Sequence, residues 1–171
     1  MKFYLIDRIE RINPGKEIVA RKTLSLAEEY LADHFPIFPV MPGVLMLEAL
    51  VQAAAWLVRI EQNFSKSMVV LTEARNVRYG NFVIPGRTLT VRAEVINIDD
   101  DLATFKGSGV VDENQQAVQG RFTLRSFNVA DIAPAAAAAD ERIIAQLKER
   151  FKLIGGPDAL EAAKEASSQL G

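Results

Sequence analysis

The segment Val44-Leu-Met-Leu-Glu-Ala-Leu-Val-Gln-Ala-Ala-Ala-Trp-Leu-Val-Arg-Ile60 is rich in helix formers and apolar on nearly every face. A helix with no polar side has to be surrounded by protein, so the rest of the chain must wrap around it. Its longest apolar stretch, Ala49 to Val58, is interrupted only by Gln52 and falls far short of the ~20 residues that span a bilayer. The wrapping material is legible as strands. Thr88 to Ile96 alternates, with Leu89, Val91, Ala93 and Val95 on one face and Thr90, Arg92 and Glu94 on the other. Met68 to Tyr79, Leu102 to Val111 and Ala117 to Phe127 are further strand candidates. Turns at Ile84-Pro85-Gly86, Asp99-Asp100-Asp101 and Asp112-Glu113-Asn114 separate these segments as in antiparallel neighbours. The expected class is α+β, an antiparallel sheet curled around one long buried helix.

Towards the N terminus, Asn13-Pro14-Gly15-Lys16 predicts a turn joining strands Phe3 to Ile12 and Glu17 to Leu24. Ser25-Leu26-Ala27-Glu28 has capping-box spacing and predicts a short helix to about Ala32. From Asp33 to Gly43, Pro36, Pro39 and Pro42 predict a stiff, extended segment. Beyond Asn128 the composition shifts. An Ala-rich linker with Pro134 and Ala135 to Ala139 leads to an amphipathic helix, capped by Asp140, with Ile143, Ile144, Leu147 and Phe151 on one stripe and Gly155-Gly156 at its end. Asp158 and Glu161 predict a capping box for a weaker last helix. The expected organisation is a domain over 1–128 and a helical extension over 129–171.

Composition narrows the chemistry. With 20 Lys+Arg against 22 Asp+Glu in 171 residues, there is no polybasic surface for nucleic acid. The absence of cysteine excludes disulfides, Cys-ligated metals and a thiol nucleophile. A single histidine excludes a two-His metal site within one subunit and leaves at most a mixed His/carboxylate site or one assembled across a dimer; no metal site is expected. The apolar run before Asp7 is too short for a signal-peptide core, so the chain reads as cytoplasmic.

One stretch concentrates chemistry: His34-Phe-Pro-Ile-Phe-Pro-Val-Met-Pro-Gly-Val-Leu-Met-Leu-Glu48, with Gln52 one turn later. It joins a titratable base, a rigid loop and a carboxylate in an apolar helix. Glu48 sits about 7 Å along the helix from Gly43, on the same stripe as Gln52. Desolvation there would raise a carboxylate pKa and suit it to donate a proton, while histidine needs little tuning to act as a base. At Gly43 the free amides and positive dipole of a helix N-terminus would stabilise a carbonyl oxygen becoming an enolate, and the missing Cβ permits close approach. Losing such a donor typically costs ~2.7–4 kcal/mol in the transition state. Base, acid and oxyanion donor together describe proton abstraction α to a carbonyl with protonation of a leaving group. Taken singly, His34 reads as a structural residue and Glu48 as a carboxylate satisfied by Gln52 or an arginine; Gln52 reads as an orienting hydrogen bonder.

The stretch His34 to Gln52 closely resembles the active-site loop and central helix of the bacterial 3-hydroxyacyl-[acyl-carrier-protein] dehydratases of fatty acid biosynthesis, which have the hotdog fold. The resemblance extends to Asp7-Arg8 and Pro14-Gly15, and to Arg78-Tyr-Gly-Asn-Phe-Val-Ile-Pro-Gly86, covering about residues 1–127. It implies that His34 removes the C2 proton of a 3-hydroxyacyl thioester, that Glu48 helps protonate the departing C3 hydroxyl, and that the Gly43 amide holds the thioester carbonyl. It further implies no cofactor, a homodimer in which His and Glu meet from opposite subunits, and acyl carrier protein as the partner bearing the substrate. An apolar acyl tunnel at the subunit interface would be lined near Phe35, Val44 and Phe82.

Against the family pattern, Asp33 stands where Gly is usual, and Ile37 and Phe38 replace a Gly-charged pair. These changes make the loop more apolar. Arg75, Arg78 and Arg87 form a candidate docking cluster for an acidic carrier. Two other roles remain open on the same fold: an acyl thioesterase in which His34 and Glu48 activate water, and a non-catalytic acyl-binding subunit.

Overall fold

The turn at Asn13–Lys16 forms as its residues require: Gly15 takes φ +68°, and the Lys16 amide donates to the Asn13 carbonyl at 3.0 Å. In the computed structural model, which describes residues 3–112 and 114–168, this turn joins β1 (Arg8–Asn13) to β2 (Glu17–Thr23). Helix α1 (Gly43–Glu61) follows, then β3 (Met68–Tyr79), β4 (Thr88–Asp99), β5 (Leu102–Val111) and β6 (Gln115–Phe127). Two helices, α2 (Ala137–Leu153) and α3 (Gly156–Ser168), end the described chain. All strands pair antiparallel in the order β1-β2-β4-β5-β6-β3. Because α1 and β3 intervene between β2 and its neighbour β4, the chain crosses the sheet through the helix. Of the turn expected between β5 and β6, Glu113 lies outside the described residues.

Register decides which residues meet the helix. The pairs Ile18↔Ala93 and Ala20↔Val91 put every second residue of β2 and β4 on the inner face, where all four are fully buried. Phe105 and Phe122, paired across β5 and β6, stack with centroids 5.7 Å apart. Beside them Gly107 makes room for α1, since a Cβ there would lie 2.7 Å from the Phe122 ring and 3.1 Å from the Leu50 methyls. Ala49, Leu50, Ala53, Ala54 and Leu57 complete the contact from the helix side. By length and composition α1 could cross a membrane, with mean hydropathy 1.6; here 56% of that window is buried inside the protein. That burial accounts for the apolar run from Ala49 to Val58, while Val44 at the start of α1 stays exposed.

Several boundaries differ from expectation. The first strand begins at Arg8 rather than Phe3, because Phe3 and Leu5 bond to α1 instead of to a strand: the Leu5 amide donates to Gln52 Oε1 and Gln52 Nε2 donates to the Phe3 carbonyl, each at 3.0 Å, and only from Asp7, whose amide donates to the Arg21 carbonyl, does the backbone turn to β2. The Ser25–Glu28 capping box does not start an α-helix. Ser25 Oγ accepts from the Ala27 amide, Glu28 turns to Lys22 at 2.6 Å, and only a 3₁₀ turn, Glu29–Leu31, follows. Nor is the proline segment extended throughout, since the Phe38 amide donates back to the Phe35 carbonyl at 2.8 Å.

The C-terminal helices are docked rather than loose. Ala137 to Ala139 already belong to α2, so the expected linker is shorter than its alanine run. Asp140 is not the cap of α2. Its carboxylate accepts from the Val129 and Ala130 amides at 2.8 and 2.9 Å and from Ser67 Oγ, tying α2 to the 3₁₀ turn that follows β6. Farther along, Phe151 packs on Trp56 and Phe64, and the Ile9 amide donates to the Ile154 carbonyl at 2.8 Å. Gly155 reverses the chain at φ +80°, and α3 starts at Gly156, ahead of the expected Asp158 cap, where a Cβ would overlap the Phe151 ring.

The Ser67 hydroxyl, followed by the two backbone amides, holds the Asp140 carboxyl below its ordinary range against the opposing effect of burial. A depressed pKa means that this tie contributes fully above the unfolded aspartate value, about pH 4, and is lost as pH falls through the lower folded value. Asp140→Ala is expected to expose the segment after β6 to limited proteolysis at neutral pH. Wild type should show the same cleavage only in acid; equal resistance of both proteins at neutral pH would refute the tie.

Candidate active site

The loop that carries His34 is held at both ends. The His34 amide donates to the Tyr30 carbonyl at 3.2 Å, and the Met41 amide donates to the Val83 carbonyl at 2.9 Å. Between them Phe35 adopts φ +50°, a left-handed conformation that a bulky residue takes only when its surroundings impose it. This bend sets the His34 ring edge-on to the Phe35 ring with centroids 4.5 Å apart. The imidazole is half-buried, and neither ring nitrogen hydrogen bonds to any described residue. Beneath the loop, the Tyr30 phenol is buried without a partner, and burial, then Glu28 and Asp7, raise its pKa far above the ordinary tyrosine value.

Helix α1 starts at Gly43 behind Pro42, and no side chain caps it. The Leu45 and Met46 amides both reach the Pro42 carbonyl, while the Gly43 and Val44 amides donate to no described residue. The Tyr79 ring lies over Gly43 so closely that a Cβ would sit 3.1 Å from it. One further turn along, Glu48 is half-buried rather than deeply desolvated, and its Oε1 accepts from Gln52 Nε2 at 3.0 Å. With Phe3 and Leu5 on its remaining groups, Gln52 is fully engaged and fixes both the carboxylate and the N-terminal segment.

Glu48 and Gln52 open into a cavity of about 320 Å³ whose α1 wall continues through Trp56 and Arg59. The opposite wall is α2, through Ile143, Leu147 and Arg150. His34 does not line this cavity. Within one chain the candidate base and acid therefore belong to different surfaces. Phe35, Val44 and Phe82 are 60%, 67% and 62% exposed, so a single chain encloses no tunnel around them; Phe82 instead meets Phe38 edge-on at 5.9 Å. Of the candidate docking arginines, Arg75 pairs with Glu73 at 2.7 Å and Arg87 with Asp112, whereas Arg78 has no ion pair among the described residues.

Sequence reasoning missed three features of this region. The 48-52-56-59 stripe was readable from helical spacing, yet Arg59 was not singled out. Tyr79 over Gly43 depends on tertiary placement, and the amphipathic stripe of α2 shows that it needs a surface but not that the surface is the α1 stripe.

A strongly curled antiparallel sheet around a central helix, with the histidine loop feeding directly into that helix, defines a hotdog-fold protein. The FabA-like domain family matches residues 1–120, and the chain belongs to that family. It is 36% identical over 115 residues to the 3-hydroxyacyl-[acyl-carrier-protein] dehydratase FabZ of Clostridium kluyveri, covering 67% of this chain and 80% of that one. Among solved structures, the dehydratase heterocomplex ApeI:P from Xenorhabdus doucetiae superposes with TM-score 0.62 at 18% identity, covering 78% of this chain and 90% of its own. The thioesterase HI1161 from Haemophilus influenzae superposes at 0.54 with 19% identity, covering 71% and 78%. At such identities these two structures speak for the fold alone.

Proposed function

We propose that the chain is a hydro-lyase that converts 3-hydroxyacyl thioesters on acyl carrier protein into trans-2-enoyl thioesters and water. The observation that carries this reading is the unpartnered His34 imidazole on the loop that leads into α1, whose first amides are free and whose next turn presents the Glu48–Gln52 pair. His34 takes the C2 proton. The electron pair moves towards the thioester carbonyl, whose oxygen is held by the Gly43 amide, then forms the C2–C3 double bond as the C3 hydroxyl departs with a proton from Glu48. Gln52 is a positioning residue that keeps the Glu48 carboxyl in place.

The base and acid meet between two copies of the chain. Two features support that arrangement: His34 lies outside the cavity that Glu48 lines, and β3 ends the sheet as a twelve-residue strand that is largely exposed. Near it lie Phe35, Ile37, Phe38 and Phe82, all exposed in the single chain, with Ile37 at 101%. A protein with such a surface is expected to sediment as a dimer, and active monomer would overturn the arrangement.

The reaction is tested by incubating the protein with a 3-hydroxyacyl thioester on carrier protein or on coenzyme A and identifying products by mass. An intact thioester that has lost water supports the reading. Release of free acid and thiol would establish a thioesterase in its place, and unchanged substrate on both carriers would leave an acyl-binding subunit.

A further inference from the structure

Dehydration uses only one end of the cavity between α1 and α2. Farther along the α1 wall, Arg59 stacks on Trp56 with its guanidinium carbon 5.1 Å from the ring centroid. Its Nε is buried without a hydrogen-bond partner, and no carboxylate among the described residues pairs with it. Burial alone pushes its pKa down to about 10, still charged at neutral pH. On the α2 wall Arg150 covers the Tyr4 ring at 3.9 Å and has only a long 3.5 Å contact to the Ile6 carbonyl. Arg11, Arg21, Arg75, Arg87 and Arg92 have carboxylate partners, and the other arginines without one among the described residues, Arg8, Arg78, Arg121, Arg125 and Arg142, are exposed to water. The two arginines that line the cavity are thus half-buried and without a counter-ion among the described residues.

Their position relative to Glu48 gives this a direction. Eleven residues separate Glu48 from Arg59, three turns of helix, so both lie on one stripe about 16 Å apart along the axis. The stretch between them is walled by Val51, Ala55, Trp56 and Leu147. We propose that the cavity selects an acyl chain whose far end carries a carboxylate, with the thioester end at Glu48 and the carboxylate on Arg59 and Arg150. This rests on the acyl-thioester reading above and assigns a substrate class to it. A methyl end would leave the half-buried Arg59 with its Nε unpaired, whereas a carboxylate supplies charge-assisted hydrogen bonds to a planar donor fork. The α2 wall lies beyond residues 1–120, which the FabA-like family matches, so the Arg150 half of this site belongs to the C-terminal extension and the Arg59 half to the matched domain.

The test compares two coenzyme A thioesters of equal length, 3-hydroxyacyl chains ending in carboxylate or in methyl. Wild type is expected to favour the carboxylate by at least tenfold in kcat/KM, and Arg59→Met and Arg150→Met to bring that ratio close to one. Arg59→Lys, which keeps the charge, should retain part of it. A separate binding arm needs no turnover: decanoate and decan-1-ol are titrated by calorimetry, with Trp56, the only tryptophan, reporting by fluorescence. Decanoate binding at least tenfold tighter than the alcohol, lost in Arg59→Met, supports the site even if neither thioester reacts, in which case only the dehydratase reading fails. Equal affinity for acid and alcohol, or an unchanged ratio in both arginine variants, would overturn it.

Discussion

His34→Ala is expected to lower kcat for dehydration by about 10²–10⁴-fold, the range that a positioned general base contributes. The surroundings of the ring are the reason. Its nitrogens bond to no described residue, so the imidazole contributes little to holding the loop, which is fixed through the His34 and Met41 backbone amides. The melting temperature should therefore stay within a few degrees of wild type while the rate collapses. Glu48→Gln should lose a comparable factor, since the amide keeps the bond with Gln52 but has no acidic proton to give. Stopped-flow absorbance of the enoyl product measures both. A His34→Ala protein retaining more than a tenth of the rate would show that another group is the base.

The second large effect is expected at Gly43. Gly43→Val places branched carbons where the Tyr79 ring already lies 3.1 Å from a Cβ position, and it covers one of the two free amides at the start of α1. Losing one such donor typically costs ~2.7–4 kcal/mol, about 10²–10³ in kcat. Two causes can be separated. If only the clash with Tyr79 mattered, Tyr79→Ala would restore the rate to Gly43→Val, because the ring would be gone. We expect the double variant to recover thermal stability and remain slow, since the amide is still obstructed. Full recovery of kcat would remove Gly43 from the chemistry.

The central helix was legible to within a residue at each end because a run apolar on every face has few alternatives. The strands at 68–79 and 102–111 match expectation because turn-forming residues bound them, Ser65 to Ser67 and Gly80-Asn81 around the first and Asp99 to Asp101 and Asp112 around the second. Where reading failed, a long-range partner outcompeted a local preference. Phe3 to Ile6 has strand-like composition, yet Gln52 claims the Phe3 carbonyl and the Leu5 amide from across the core. Glu28 fits a capping box but is drawn to Lys22, which Asp7 also pairs. Asp140 looked like the cap of its own helix and serves another segment. The same logic governs the site. The histidine loop, Gly43 and Glu48 are contiguous and readable, whereas the cavity beyond Glu48 depends on α2, which is about a hundred residues later in the chain and has no motif to announce its docking.

In the proposed dimer one site is assembled from His34 of one copy and Glu48 of the other, and mixing inactive variants tests this most directly. His34→Ala and Glu48→Gln homodimers should each be nearly inactive. After co-refolding, random exchange would make half the dimers mixed, each with one intact site, so dehydration should return to roughly a quarter of the wild-type rate. Mixed dimers that form, as mass spectrometry of the intact complex would verify, yet stay as inactive as either parent would contradict the shared site.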